Sequence, residues 1–159
     1  MRDSIYQFPA LSLDWSGEIA AFPGNFWQSF IDIDLLVEDD AGAEVSGYAG
    51  ATSAVPEIIS SEDIPDGTYT LVANLWSNPI TGNGLDDEDL PLVMTISLGG
   101  VGSAGFVPRE IGLTPVWNGE TPSDQDGENN LILGRVTVDG NVMTLIDGNG
   151  TLVGTFGEN

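Results

Sequence analysis

Hydrophobic and polar residues alternate with a period of two in several short stretches of the chain, and no window shows sustained helical periodicity. The clearest stretch is 31–38, where four aliphatic residues share one face and Asp32, Asp34 and Glu38 lie on the other. That pattern is typical of a strand with one buried face. The same reasoning predicts further strands at 11–15, 68–76, 92–98, 131–138, 142–146 and 151–156.

Turn-forming dipeptides separate these stretches. Asp-Gly and Asn-Gly pairs recur along the chain, and both accept the positive φ values that close hairpins. The segment 131–156 therefore predicts a meander of three strands with turns at 139–141 and 147–150. With 21 glycines and 9 prolines between short strands, the sequence predicts an all-β fold, an antiparallel β-sandwich. We expect one domain over residues 1–159.

The charge balance is strongly acidic. The chain has 25 Asp and Glu against 3 Arg, a net charge of −22, and it contains no Lys. No basic patch exists to neutralise phosphates, which argues against nucleic acid and anionic lipid as partners. Bound calcium or a salt-rich environment would each relieve the self-repulsion, and the sequence leaves both explanations open.

Several classes of chemistry lack the residues that they need. The absence of His, Cys and Lys removes His-dependent triads, thiol chemistry, imidazole zinc sites and the Walker A motif. The main enzyme class that remains is a glycosidase with a carboxylate pair. No stretch has the length of an apolar membrane span, so we expect no membrane insertion. No signal peptide is visible, and we interpret the abrupt start at Met1 as the beginning of a trimmed mature domain.

One loop carries oxygen ligands at alternate positions. Asp124, Asp126 and Glu128 surround Gly127, which permits a sharp turn. A hard cation such as calcium takes six to eight oxygens, and this spacing suits it. The alternative is a solvated polar loop between two strands.

A second candidate lies within the strand at 31–38. Asp32 and Asp34 fall on the same face, about 7 Å apart along a strand, and could share one calcium if loop oxygens join them. The alternative is an ordinary exposed strand face. The acidic runs at 86–89 and 38–40 are interpreted as solvated charge runs, with a bound cation as the alternative.

Aromatic residues provide the candidates for ligand contact. Phe26 and Trp27 lie beside Pro23-Gly24-Asn25, which interrupts any strand there, and Trp76 ends a predicted strand. Exposed aromatics of this kind stack on sugar rings or peptide side chains. The alternative is that these residues belong to the core or its margin.

Residues 30–76 resemble the bacterial pre-peptidase C-terminal domains and related secreted β-sandwiches. The resemblance rests on 32–35 (Asp-Ile-Asp-Leu), a turn at Gly42, a short strand near 44–45, the segment 53–59 and 66–72 (Asp-Gly-Thr-Tyr-Thr-Leu-Val). It implies a jelly-roll-like sandwich, an extracytoplasmic setting and a non-catalytic accessory role, in some relatives with calcium. This chain departs from the pattern, since it continues well past Trp76 and carries no attached peptidase.

These observations favour a secreted or surface-attached β-sandwich that calcium stabilises and that binds a glycan or protein partner. A structural subunit of a surface layer or fibre, assembled through exposed edge strands, is the first alternative. A carboxylate-pair glycosidase is the second.

Overall fold

The computed structural model describes residues 8–16, 31–47, 57–78, 93–101, 121 and 130–157. Eight strands and a single 3-10 turn (Ser61–Asp63) lie in these ranges. The strands are β1 (Phe8–Ser16), β2 (Asp32–Glu38), β3 (Glu57–Ser60), β4 (Gly67–Ser77), β5 (Val93–Val101), β6 (Asn130–Asp139), β7 (Val142–Asp147) and β8 (Leu152–Gly157).

The strands form two antiparallel sheets that pack face to face. One has three strands in the order β3-β1-β5, and the other has five in the order β2-β4-β6-β7-β8. This arrangement confirms the predicted all-β sandwich and the C-terminal meander. The jelly-roll connectivity stays a prediction. The strand β3 was not predicted from alternation, because four residues are too few to show a period.

The core lies between the two sheets. Alternate residues of β2 and β4 point into it, and Ile33, Leu35 and Val37 are fully buried, as the alternation predicted. From the three-stranded sheet, Leu11 and Trp15 enter the same core. Trp15 is therefore a core residue and offers no surface for a ligand.

A tyrosine fixes the crossing from one sheet to the other. The chain leaves β3, passes through the 3-10 turn and enters β4 in the opposite sheet. Tyr69 on β4 donates hydrogen bonds from its hydroxyl to the carbonyl oxygens of Pro65 (2.8 Å) and Asp66 (3.2 Å). Contacts of this kind, known as tyrosine corners, hold the sheet-to-sheet connections of Greek-key sandwiches.

Two hairpin turns share one hydrogen-bonding scheme. Asp39 accepts bonds at Oδ1 from the N–H groups of Ala41 and Ala43, both at 2.9 Å. Asp147 does the same with Asn149 (2.8 Å) and Thr151 (2.9 Å). Each carboxylate thus satisfies backbone donors that the tight turn leaves without carbonyl partners. The acidic run 38–40 is therefore more than a solvated charge run, because its central residue builds the turn.

Candidate metal centre

The strand β2 forms one edge of the five-stranded sheet and carries two carboxylates. Ile33, Leu35 and Val37 are buried in the core, and Asp32 and Asp34 occupy the alternate positions of the strand. A bulge interrupts the pairing with β4 between Asp32 and Ile33. Asp34 itself pairs with Asn74 of β4.

A third carboxylate comes from the other sheet. Glu57 opens β3, the edge strand of the three-stranded sheet, and its register partner is Leu13 of β1. One carboxylate oxygen each from Asp32, Asp34 and Glu57 lies within 4.8 Å of the other two. We call these three residues the acidic triad. The predicted Asp32 and Asp34 pair is therefore joined by a residue from the opposite sheet.

The acidic triad is largely withdrawn from solvent. Glu57 is 0% exposed, Asp34 is 8% exposed and Asp32 is half-buried. The Oδ1 atom of Asp32 is buried and has no hydrogen-bond partner in the structure. A buried carboxylate oxygen without a partner has lost its contacts with water and gained none in return. This loss destabilises the folded state unless a bound cation replaces the lost contacts.

The electrostatics of the acidic triad agree with this geometry. Burial, and then the neighbouring charges of Asp32 and Glu44, raise the pKa of Asp34 to about 7. Burial also raises the pKa of Asp32. Both shifts have the sign expected when carboxylates crowd together in a poorly hydrated place.

Further acids continue the negative region along β2. Glu44 faces Glu38 across an isolated β-bridge, and burial raises the pKa of both. The only arginine in the described ranges, Arg135, lies 3.7 Å from Asp40 and pairs with that residue instead. The chain contains no Lys or His, and a bound cation would supply compensating charge to the acidic triad.

Such a cluster is suited to a hard divalent ion. Calcium binds oxygens at about 2.3–2.6 Å, so two ligands of one ion lie at most about 5 Å apart, and the acidic triad meets this limit. Three carboxylates supply up to six oxygens if each is bidentate, and water completes the shell. The donor set contains neither sulfur nor nitrogen, which argues against zinc and copper.

The other predicted site residues have different outcomes. Trp76 lies on β4 with 39% of its surface exposed, so it is available for contact. The predicted ligands Asp124, Asp126 and Glu128 lie outside the described residues, as do Phe26 and Trp27.

Glu57 is the site residue that sequence reasoning missed. A weak signal for it exists, since alternation in β3 puts Glu57 on the same inward face as Ile59. An acidic residue at a core-facing position is rare without a partner or an ion. Four residues, however, do not establish which positions face the core.

No protein-family model, curated protein or solved structure matches this chain. The resemblance of residues 30–76 to pre-peptidase C-terminal domains therefore stays a prediction. Within the described ranges, no helix is long and apolar enough to cross a bilayer.

Proposed function

We propose that this chain is a non-catalytic β-sandwich module that binds calcium at Asp32, Asp34 and Glu57, is stabilised by it, and recognises a glycan or protein partner outside the cytoplasm. The observation that carries the proposal is the acidic triad, with its buried Asp32 Oδ1 atom that lacks a hydrogen-bond partner. The net charge of −22 adds a general attraction for cations.

Calcium fits better than magnesium on coordination grounds. Magnesium requires near-ideal octahedral geometry at about 2.0–2.1 Å and keeps much of its water. The acidic triad instead offers three carboxylates in a place that is mostly closed to solvent, where an ion must give up most of its water. Calcium modules that work outside cells bind the ion with Kd values of about 10⁻⁴ to 10⁻³ M, which suits an extracytoplasmic setting.

The burial of the same carboxylates supports a non-catalytic role. A glycosidase needs two carboxyl groups that flank a substrate bond, with the sugar in direct contact with both. Glu57 is fully buried and Asp34 nearly so, which leaves a sugar ring no access to this pair in the described structure. The raised pKa of Asp34 would suit a general acid, but the geometry favours an ion.

Contact with a macromolecule is supported by the surface of β4. Trp76 is 39% exposed at the end of this strand, and Ser77 beside it pairs with Asp32 of the acidic triad. An exposed indole stacks on sugar rings and on peptide side chains alike. Calcium at the acidic triad would then hold the end of β4 that carries this indole.

Thermal unfolding tests the proposal. The Tm is measured in EDTA, in calcium, in magnesium and in NaCl of matched ionic strength. A ligand that binds only the native state at about 100 times its Kd stabilises by about 2.7 kcal/mol, which raises the Tm of a domain of this size by roughly 5–10 °C. We expect calcium to produce such a shift and NaCl to reproduce only a small part of it. If NaCl gives the whole shift, the acidity reflects general screening and the calcium site is rejected.

Three variants locate the site. Asp34→Asn removes one ligand and should abolish most of the calcium-specific shift. Asp139→Asn removes the same charge from an exposed residue at the end of β6 and should leave the shift intact. Asp126→Ala tests the loop predicted from sequence. If only this last variant abolishes the shift, calcium binds there and the acidic triad is not the site.

An assembly subunit is the second candidate, and β8 favours it. This strand ends the five-stranded sheet, and the segment Leu152–Gly157 contains no charged residue and no proline. Natural edge strands usually carry such residues to prevent pairing with other chains. Light scattering over a concentration series tests the candidate. Growth of polymers that Leu152→Lys, at a residue 62% exposed, suppresses supports it, and a strict monomer excludes it.

A further inference from the structure

The acidic triad joins two strands that belong to different sheets. β2 is the edge of the five-stranded sheet and β3 is the edge of the three-stranded sheet, and β3 pairs with β1. The two edge strands nevertheless lie in contact, on the same side of the sandwich. Asp32 and Asp34 come from one of them and Glu57 from the other, so an ion bound by all three would connect the sheets.

The strand that carries Glu57 is short. β3 has four residues and is the shortest of the eight described strands. Its register with β1 covers four residue pairs, whereas that of β2 with β4 covers seven. Ile59 is buried in the core, but Ile58 is 40% exposed. Short edge strands with few buried apolar side chains open locally at low free-energy cost.

Charge repulsion within the acidic triad acts across this contact. Without a cation, ionised carboxylates whose oxygens lie within 4.8 Å repel each other, and their burial limits screening by water and salt. Separation of β3 from β2 would relieve the repulsion and rehydrate Glu57. A bound divalent ion reverses the sign of the interaction, because each carboxylate is then attracted to the shared ion.

We propose that calcium acts as an inter-sheet clamp: its binding fixes β3 against β2, and its removal releases β3 while the five-stranded sheet stays formed. The inference rests on the proposed function, since it requires an ion at the acidic triad. Calcium affinity and the closing of β3 are then linked, so a change that favours the closed edge also tightens calcium binding. The module would be rigid on this side only where calcium is abundant.

Hydrogen exchange followed by mass spectrometry, with calcium titration calorimetry on the same sample, tests the clamp. We expect EDTA to speed exchange in peptides that cover 57–60 by at least tenfold relative to calcium. Peptides of the β7–β8 hairpin, 142–157, should change much less. Glu57→Gln removes the repulsion while keeping the shape of the side chain, so it should show slow exchange at 57–60 even in EDTA and little response to calcium. Asp139→Asn serves as the control for net charge.

The outcomes separate the clamp from the proposed function. If calorimetry shows calcium binding that Asp34→Asn abolishes, but exchange changes uniformly or not at all at 57–60, the clamp is overturned and the calcium site stands. No calcium binding in calorimetry overturns the site and the clamp together. If Glu57→Gln fails to fold, Asp34→Asn provides the same test from β2, with slow exchange at 57–60 in EDTA expected again.

Discussion

Asp34 and Glu57 stand 23 positions apart in the chain and on the edge strands of two different sheets, yet their carboxylate oxygens lie within 4.8 Å of each other. Packing of one sheet on the other creates this proximity. Both residues are buried, at 8% and 0% exposure, so the pair is destabilising unless something neutralises it. The predictions about ion binding and pH depend on this relationship.

The stability of the ion-free protein should fall as the pH rises from about 4 to above 7. Burial and the charges of Asp32 and Glu44 raise the pKa of Asp34 to about 7, from the ordinary value of 3.8 that it has in the unfolded chain. Between these values the folded state binds more protons than the unfolded state, so stability decreases with rising pH. Tm measured against pH in EDTA checks this expectation.

Asp34→Asn separates this effect from the general repulsion of a chain with 25 acids. The variant cannot ionise at position 34, so its Tm in EDTA should fall less steeply than that of the wild type over the same pH range. Calcium should bind the wild type more tightly at pH 8 than at pH 6, because a proton on Asp34 competes with the ion. Parallel pH curves for the two proteins in EDTA would contradict the raised pKa.

Tyr69→Phe should destabilise the protein by about 1–2 kcal/mol without changing its calcium response. The hydroxyl bonds to Pro65 and Asp66 hold the connection between the sheets, and their loss leaves two carbonyl oxygens without this donor. Urea unfolding measures the loss. A Tyr69→Phe variant as stable as the wild type would show that the corner adds nothing.

Asp147→Ala should cost about 1 kcal/mol, because it removes the acceptor of two backbone N–H groups in the β7–β8 turn. Asp147→Asn keeps an oxygen at the Oδ1 position and should cost less. Asp40→Ala removes a charge from an exposed residue whose contact is a 3.7 Å surface ion pair, and it should change stability little. Chemical denaturation of the three variants ranks them. Equal losses for Ala and Asn at position 147 would contradict the turn's hydrogen-bonding scheme.

Gly134→Ala should destabilise by about 1–3 kcal/mol. A Cβ at this position would overlap the carbonyl oxygen of Ile146 on the neighbouring strand, where backbone cannot easily move. Gly134 also has a φ of 156°, near the limit of what other residues adopt. Gly148→Ala is the matched control, since a Cβ there would meet nothing within 4 Å. Equal Tm values for the two variants would refute the close approach of β6 and β7.

The strand pattern was predictable because alternation is a local property. In 31–38 each core-facing position is aliphatic, and the structure buries Ile33, Leu35 and Val37 as expected. The Asp-Gly pair at 139–140 likewise marked its turn, where Gly140 adopts a φ of 56°. The hydrogen bond from the Gly140 N–H to Asp66 Oδ1 (2.9 Å) was beyond sequence reasoning, since 74 positions separate the two residues.

The sequence by itself determined the all-β class and most of the strands, and it indicated Asp32 and Asp34 as a candidate pair, because these follow from a two-residue period and from turn chemistry. Only the tertiary structure decided that the sheets pack with β2 beside β3, and that Glu57 completes the acidic triad. Which strands meet across a sandwich depends on the packing of whole sheets and on long-range pairing. The spacing of residues along the chain predicts neither sheet packing nor long-range strand pairing.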